Sequence, residues 1–156
     1  MRAMAKRSAG ILLYRVRDGA PEVLLVHPGG PFWAKRDAGA WSIPKGEHEP
    51  GEDPRACAMR ELEEELGTNP AGDGDLIELG DVRQRSGKIV TAWAVNGDFD
   101  PATLRSNTFS MEWPPRSGAM RDFPEVDRAE WFSLGEARER ILPAQAPFLD
   151  RLTERV

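Results

Sequence analysis

Gly46 to Thr68 reads GEHEPGEDPRACAMRELEEELGT: a turn-rich loop runs into a helix that places Glu61, Glu64 and Glu65 at the i, i+3, i+4 spacing of one face. Three carboxylates crowded together repel one another. A divalent cation neutralises such a cluster, and hard oxygen ligands at this density suit Mg2+ or Mn2+. The pattern therefore implies metal-assisted chemistry on a phosphate. The competing reading is a solvated acidic helix, which charged helices in general favour. It is weakened here because a like-charge pair at i, i+4 costs roughly 0.2–0.5 kcal/mol, and the only bases inside the helix are Arg55 and Arg60.

The helix is delimited by its own residues. Asp53 suits the N-cap and Pro54 the first helical position, where a missing N–H is not needed. Gly67 suits the C-terminal end. Ala58, Met59, Leu62 and Leu66 form an apolar stripe beside the acidic face, as a helix docked on a sheet requires.

The spacing Gly46, five residues, Glu52, seven residues, Arg60-Glu61-Leu62, one residue, Glu64-Glu65, one residue, Gly67 resembles the signature box of the Nudix hydrolase family. Thr68 departs from it, standing where the family usually has an aliphatic residue. So many fixed positions within 23 residues make a strong signal, unlike a lone glycine motif. The resemblance implies Glu61, Glu64 and Glu65 as ligands of Mg2+ (or Mn2+), with the Gly46 carbonyl as a further oxygen donor. It implies that Arg60 and Glu52 form an ion pair tying loop to helix and orienting the ligands. It also implies that bound metal stabilises charge on a diphosphate and activates a water. Glu61 is the first choice of general base. In FPEVDRAEWFSLGEA, Glu125 stands six residues before Trp131, a placement similar to a further family glutamate, and is the alternative base and candidate ligand. Glu112 and Asp127 compete with it.

The fold implied is α/β: a mixed β-sheet sandwiched between α-helices, covering roughly residues 8 to 142. Length agrees with one domain over 1–156, since 156 residues with 40% hydrophobic content build one core. The net charge of −5 argues against attraction to long nucleic acid or to a membrane surface. No apolar run approaches the roughly 18 residues of a membrane span, and the basic N-terminus lacks a signal-peptide core. A cytoplasmic location is expected. Cys57 is the single cysteine, which suits a reducing compartment. It lies one turn before Glu61, but neither His27 nor His48 falls in a recognisable cysteine-hydrolase motif, so a passive role is expected.

Hydrophobic alternation predicts strands over Ser8–Arg17 and Glu22–His27 around an Asp18-Gly19 turn. Further strands are expected at Trp41–Pro44, Leu76–Arg85, Lys88–Asn96 and Ala129–Ser133, with Ser86-Gly87 as a turn. Leu134–Ile141 and Gln145–Val156 read as helices separated by Pro143. Gly97–Phe123, rich in proline, reads as an irregular loop that helps form the substrate pocket.

Within the family, WSIPKGEHEPGE is similar to the corresponding stretch of diadenosine tetraphosphate hydrolases, with a Trp, a Pro-Lys-Gly and a Glu-Pro-Gly-Glu in order. That implies Lys45 as a phosphate contact. Lys88 and Trp93 resemble the same subgroup more weakly, whereas EWPPRSG (Glu112–Gly118) has no counterpart there. Trp33, Trp41 and Trp113 are candidate stacking platforms for a base; each also reads as packing. Lys35, Arg36, Arg116 and Arg121 are loop cations for which solvation is the default. The expected substrate is a small nucleotide: a dinucleoside polyphosphate or nucleoside triphosphate. ADP-ribose, an RNA 5′-end or a diphosphoinositol are the alternatives. A catalytically silent nucleotide-binding module would be expected to lose ligand glutamates, and none is lost. The oligomeric state is open.

Overall fold

The computed structural model describes residues 6–72 and 74–156. The signal-peptide reading of the N-terminus falls partly on residues 1–5, outside the described residues. Among the described residues, eight strands and three α-helices follow one another as β1 (Arg7–Arg17), β2 (Ala20–Pro28), β3 (Lys45–Glu47), α1 (Pro54–Leu66), β4 (Ile77–Arg83), β5 (Ile89–Asn96), β6 (Thr108–Glu112), β7 (Met120–Pro124), β8 (Val126–Ser133), α2 (Leu134–Arg140) and α3 (Ala146–Thr153). The main sheet runs β4-β5-β1-β2-β8. One edge of β1 is shared: its first half pairs antiparallel with β3 and its second half with β2. Its other edge pairs in parallel with β5.

Side-chain alternation explains how this sheet comes to lie between helices. In β1 and β2, Ala9, Ile11, Leu13, Leu24 and Val26 point to one side, where Ala58, Leu62 and Leu66 of α1 cover them. Leu12, Val23 and Leu25 point to the other, against Ile141 and the Phe148, Leu149 and Leu152 stripe of α3. Two apolar layers therefore enclose the sheet, which is the expected α/β arrangement. No helix among the described residues is long and apolar enough to cross a membrane.

Helix α1 is delimited as its sequence predicts. Asp53 accepts from the Ala56 amide, Pro54 opens the helix, and Gly67 closes it at φ 87°, a conformation that carries little strain only without a Cβ.

Three expectations are corrected. The strand expected at Trp41–Pro44 lies instead at Lys45–Glu47, while Trp41 and Ser42 make only single bridges, to Ile141 and Val26. The ladder is interrupted because the Ile43 amide donates to the Gln145 side chain and Pro44 has no N–H to give. Secondly, Gly97–Phe123 is not wholly irregular: after a short 3-10 turn at Pro101–Thr103, β6 and β7 form a separate two-stranded hairpin. The last strand also starts earlier than expected, at Val126, by pairing with β2 through Pro28.

Candidate active site

The loop-and-helix box closes on itself through Arg60. Its Nε and Nη2 donate to the two Glu52 oxygens at 2.8 and 2.9 Å, and its Nη1 donates to Glu61 at 2.9 Å and to Glu64 at 3.2 Å. The Arg60–Glu52 tie expected from the resemblance is thus a bidentate fork, the strongest geometry available to a guanidinium. Those hydrogen bonds hold the Glu52 carboxyl down at about 2. Arg60 does more than anchor the loop, since it also meets two of the expected metal ligands.

Glu61, Glu65 and Glu125 each present a carboxylate oxygen within 4.8 Å of the others. Glu61 and Glu65 are buried at 9% exposure each. Burial is the largest cause raising the Glu61 carboxyl above its ordinary range, followed by the charge of Glu64. Burial likewise pushes Glu65 well up, against the pull of Lys45. Glu125 is raised by burial and by Glu64. Three acids held this close, each paying for desolvation and repulsion, form a donor set that a hard divalent cation fits. Mg2+ or Mn2+ held by Glu61, Glu65 and Glu125 would supply charge neutralisation and a water of lowered pKa. Glu64 stands outside this group, at Arg60.

Glu125 reaches the cluster through the chain that follows α1. The Arg105 and Asn107 amides donate to the Leu66 and Glu64 carbonyls, satisfying the open end of the helix, and the Glu125 amide donates to the Asn107 carbonyl. The competing acids are occupied elsewhere: Glu112 accepts from the Arg116 amide in the hairpin turn, and Asp127 bonds buried His27 at 2.7 Å. Asn107 had no signal in the sequence, because nothing local tells that its backbone bridges two distant segments.

Gly46 lies against the cluster. A Cβ there would fall 2.0 Å from Glu61 Cδ, so only glycine lets strand and carboxylate approach this closely. The Gly46 carbonyl receives the Cys57 thiol at 3.5 Å. The Lys45 amide donates to Glu65 at 3.3 Å. Burial and then Lys88 hold the Lys45 ammonium below the usual lysine range, with Glu65 opposing. Lys88 is itself paired with Glu47 at 3.1 Å.

Trp41 is corrected as a substrate contact. It is fully buried, with edge-on contacts to His27 and Phe132 and its indole N–H donated to Asp37, so its faces are closed to a base. Trp93 is likewise a core residue. Trp113 packs edge-on against Phe32, whereas Trp33 lines a cavity.

Cys57 is buried in the core, and burial pushes its thiol up to about 11. A thiolate is the reactive form. A disulfide reagent at about pH 8 is therefore expected to leave Cys57 unlabelled until the protein is unfolded in urea; rapid labelling of the native protein would contradict this burial.

The raised acids also fix how metal-free stability varies with pH. A group whose folded pKa exceeds its unfolded value contributes stability that is complete below the unfolded pKa and lost as pH rises through the folded one. Glu61, Glu65 and Glu125 all shift this way, whereas the opposite contribution of Glu52 is already complete above about pH 5. With chelator present, the melting temperature is expected to fall as pH rises above about 5, and millimolar Mg2+ is expected to abolish most of that fall. A flat profile with chelator would contradict it.

The NUDIX domain family profile matches residues 4–152. The chain belongs to the Nudix hydrolase family. Over 135 residues it is 30% identical to an octanoyltransferase of Myxococcus xanthus, covering 86% of this chain and 33% of that protein. Over 70 residues it is 41% identical to an RNA pyrophosphohydrolase of Erythrobacter litoralis, covering 42% of this chain and 43% of that protein. The chain therefore matches less than half the length of these curated relatives. Among solved structures, a Caenorhabditis elegans Ap4A hydrolase binary complex superposes with a TM-score of 0.65 at 22% identity, over 95% of this chain and 96% of that one; the fold is shared.

Proposed function

We propose that residues 1–156 act as a single-domain, Mg2+- or Mn2+-dependent hydrolase of a phosphoanhydride bond in a nucleoside diphosphate linked to another group, in the cytoplasm. The substrate class is a dinucleoside polyphosphate or a nucleoside triphosphate. The observation that carries this reading is the convergence of Glu61 and Glu65, on the helix braced by Arg60, with Glu125 from the β7–β8 junction, all within 4.8 Å.

In this reading Lys45 meets a substrate phosphate as a compact cation beside Glu65. Glu61 or Glu125 takes the proton of the attacking water, and a carboxyl raised towards neutrality suits that task better than an ordinary one. Glu61 also accepts from Arg60, which holds its orientation. Glu64 is proposed as a further ligand, reached by leaving Arg60. A triphosphorylated RNA 5′-end is the second reading, supported by the similarity to the Erythrobacter litoralis enzyme. The excess of acids over bases limits that reading to short ends.

The test is a screen of dinucleoside polyphosphates, nucleoside triphosphates and triphosphorylated oligonucleotides with Mg2+ or Mn2+, following phosphate released after coupling to a phosphatase. Metal-dependent turnover of the first two classes is expected. Turnover confined to the oligonucleotide would move the assignment to RNA ends, and none on any substrate would reject hydrolysis. Isotope-labelled water would then identify which phosphorus is attacked.

A further inference from the structure

A cavity of about 550 Å3 adjoins the carboxylate cluster. Lys45 joins the two, because its amide donates to Glu65 and the residue also lines the cavity. That volume lies within the range of small-molecule sites. Trp33, Leu142 and Pro143 supply apolar wall, suited to a flat heteroaromatic ring. The polar wall is one-sided: it includes Lys45, Gln84 and Arg85 and no carboxylate, in a chain with 26 acids and 21 bases.

The fold orients one of these groups. Gln145 is fully buried, and the Ile43 amide donates to its Oε1 at 3.0 Å. That bond decides which end of the Gln145 amide is oxygen. Its Nε2 must therefore donate, and it does so to Ser42 Oγ at 3.0 Å and to Gln84 Oε1 at 3.4 Å. The Ser42 hydroxyl hydrogen is committed to the Ile43 carbonyl at 2.7 Å, so its oxygen accepts from Gln145 without conflict. With Gln84 Oε1 engaged as an acceptor, Gln84 Nε2 keeps both hydrogens for a ligand. The wall thus offers N–H donors and positive charge, and a buried relay keeps Gln84 from turning its oxygen outward.

We propose that this cavity holds the nucleobase of the substrate and that Gln84, held in orientation by Gln145, selects a base with a carbonyl edge. Guanine and hypoxanthine at O6 and uracil at O4 meet the Gln84 donor with an acceptor; adenine and cytosine bring an exocyclic amine to the same position. This inference rests on the nucleotide reading above, with Gln84 as the specificity residue and Gln145 as a positioning residue.

Binding without turnover tests it. GMP and AMP, which contain no phosphoanhydride, are titrated against the full chain in EDTA by isothermal calorimetry, so the result does not depend on hydrolysis. GMP is expected to bind about tenfold tighter than AMP, the discrimination that one matched hydrogen bond provides. Gln84→Leu is expected to bring the two affinities together, and Gln84→Glu, which presents only acceptors, to favour AMP. Gln145→Glu retains an acceptor for Ile43 but faces Gln84 with an acceptor in place of a donor, which turns the Gln84 amide about, and is expected to shift the preference towards AMP. Adding Gln84→Leu to Gln145→Glu is then expected to bring the ratio close to one. Since Gln84 is half-buried in a turn, its variants decide the question even if Gln145→Glu fails to fold. Equal affinity for both nucleotides in the wild type, no binding of either at about 10 mM, or a preference that survives Gln84→Leu overturns the proposal. Failure of the hydrolysis screen with the GMP preference intact would instead reject catalysis alone.

Discussion

Glu65→Gln is expected to lower turnover about a thousandfold, the equivalent of about 4 kcal/mol of lost transition-state stabilisation, while raising the melting temperature of the metal-free protein. Both effects have one origin. Glu65 is buried beside Glu61 and Glu125, so its charge is unfavourable without a cation and needed with one. Glutamine preserves volume and removes the charge. Steady-state kinetics and thermal melts in chelator measure the two effects, and metal titration by calorimetry should show weakened uptake. Full turnover in this variant would reject the proposed metal site. Glu64→Gln is also expected to lower turnover, by an amount that reports whether Glu64 leaves Arg60 to join the cluster; an unchanged rate there would restrict the ligands to the other three carboxylates.

Gly46→Ala is the second large effect. The added Cβ would lie 2.0 Å from Glu61 Cδ and 2.2 and 2.4 Å from its oxygens, distances at which something must move. Gly46 is pinned opposite Ala9 in the β1–β3 ladder, so the Glu61 carboxylate is the part that yields. A displacement of about 1 Å in a catalytic group costs roughly a hundredfold in rate, and crowding of a packed site costs about 1–3 kcal/mol of stability. The expected outcome is at least that loss of turnover, with the folded state retained in circular dichroism. Turnover close to wild type would mean that Glu61 has freedom the packing does not indicate.

The box was legible because its information is local. The helix limits follow from spacings of a few residues and the Arg60–Glu52 pair from the resemblance of the box, and the structure has both; of the acidic face, Glu61 and Glu65 meet Glu125 while Glu64 stays at Arg60. The apolar stripe was only partly legible: Cys57, expected near the carboxylates as a passive residue, is in the core, whereas Met59 is half-buried. Trp41 misled because an aromatic residue just before Pro44-Lys45-Gly46 looks the same in sequence whether its face is open or enclosed by His27 and Phe132. In Gly97–Phe123, proline density concealed the period-two pattern of Thr108–Glu112 and Met120–Pro124, which pair with each other and not with the main sheet. The cavity wall draws Gln84 and Leu142 from distant segments, and its orienting residue, Gln145, sits where a helix was expected to begin; no local spacing joins them.

Strand β1 meets its parallel neighbour β5 only about 80 residues later in the chain. At roughly 5–20 residues per second of synthesis, a ribosome-bound chain spends several seconds with one long edge of its central strand unmatched. Over the same interval Ala58, Leu62 and Leu66 of α1 are already available to cover one side of the β1–β2 hairpin, whereas the side bearing Leu12, Val23 and Leu25 waits for Ile141 and α3, the last elements to be made.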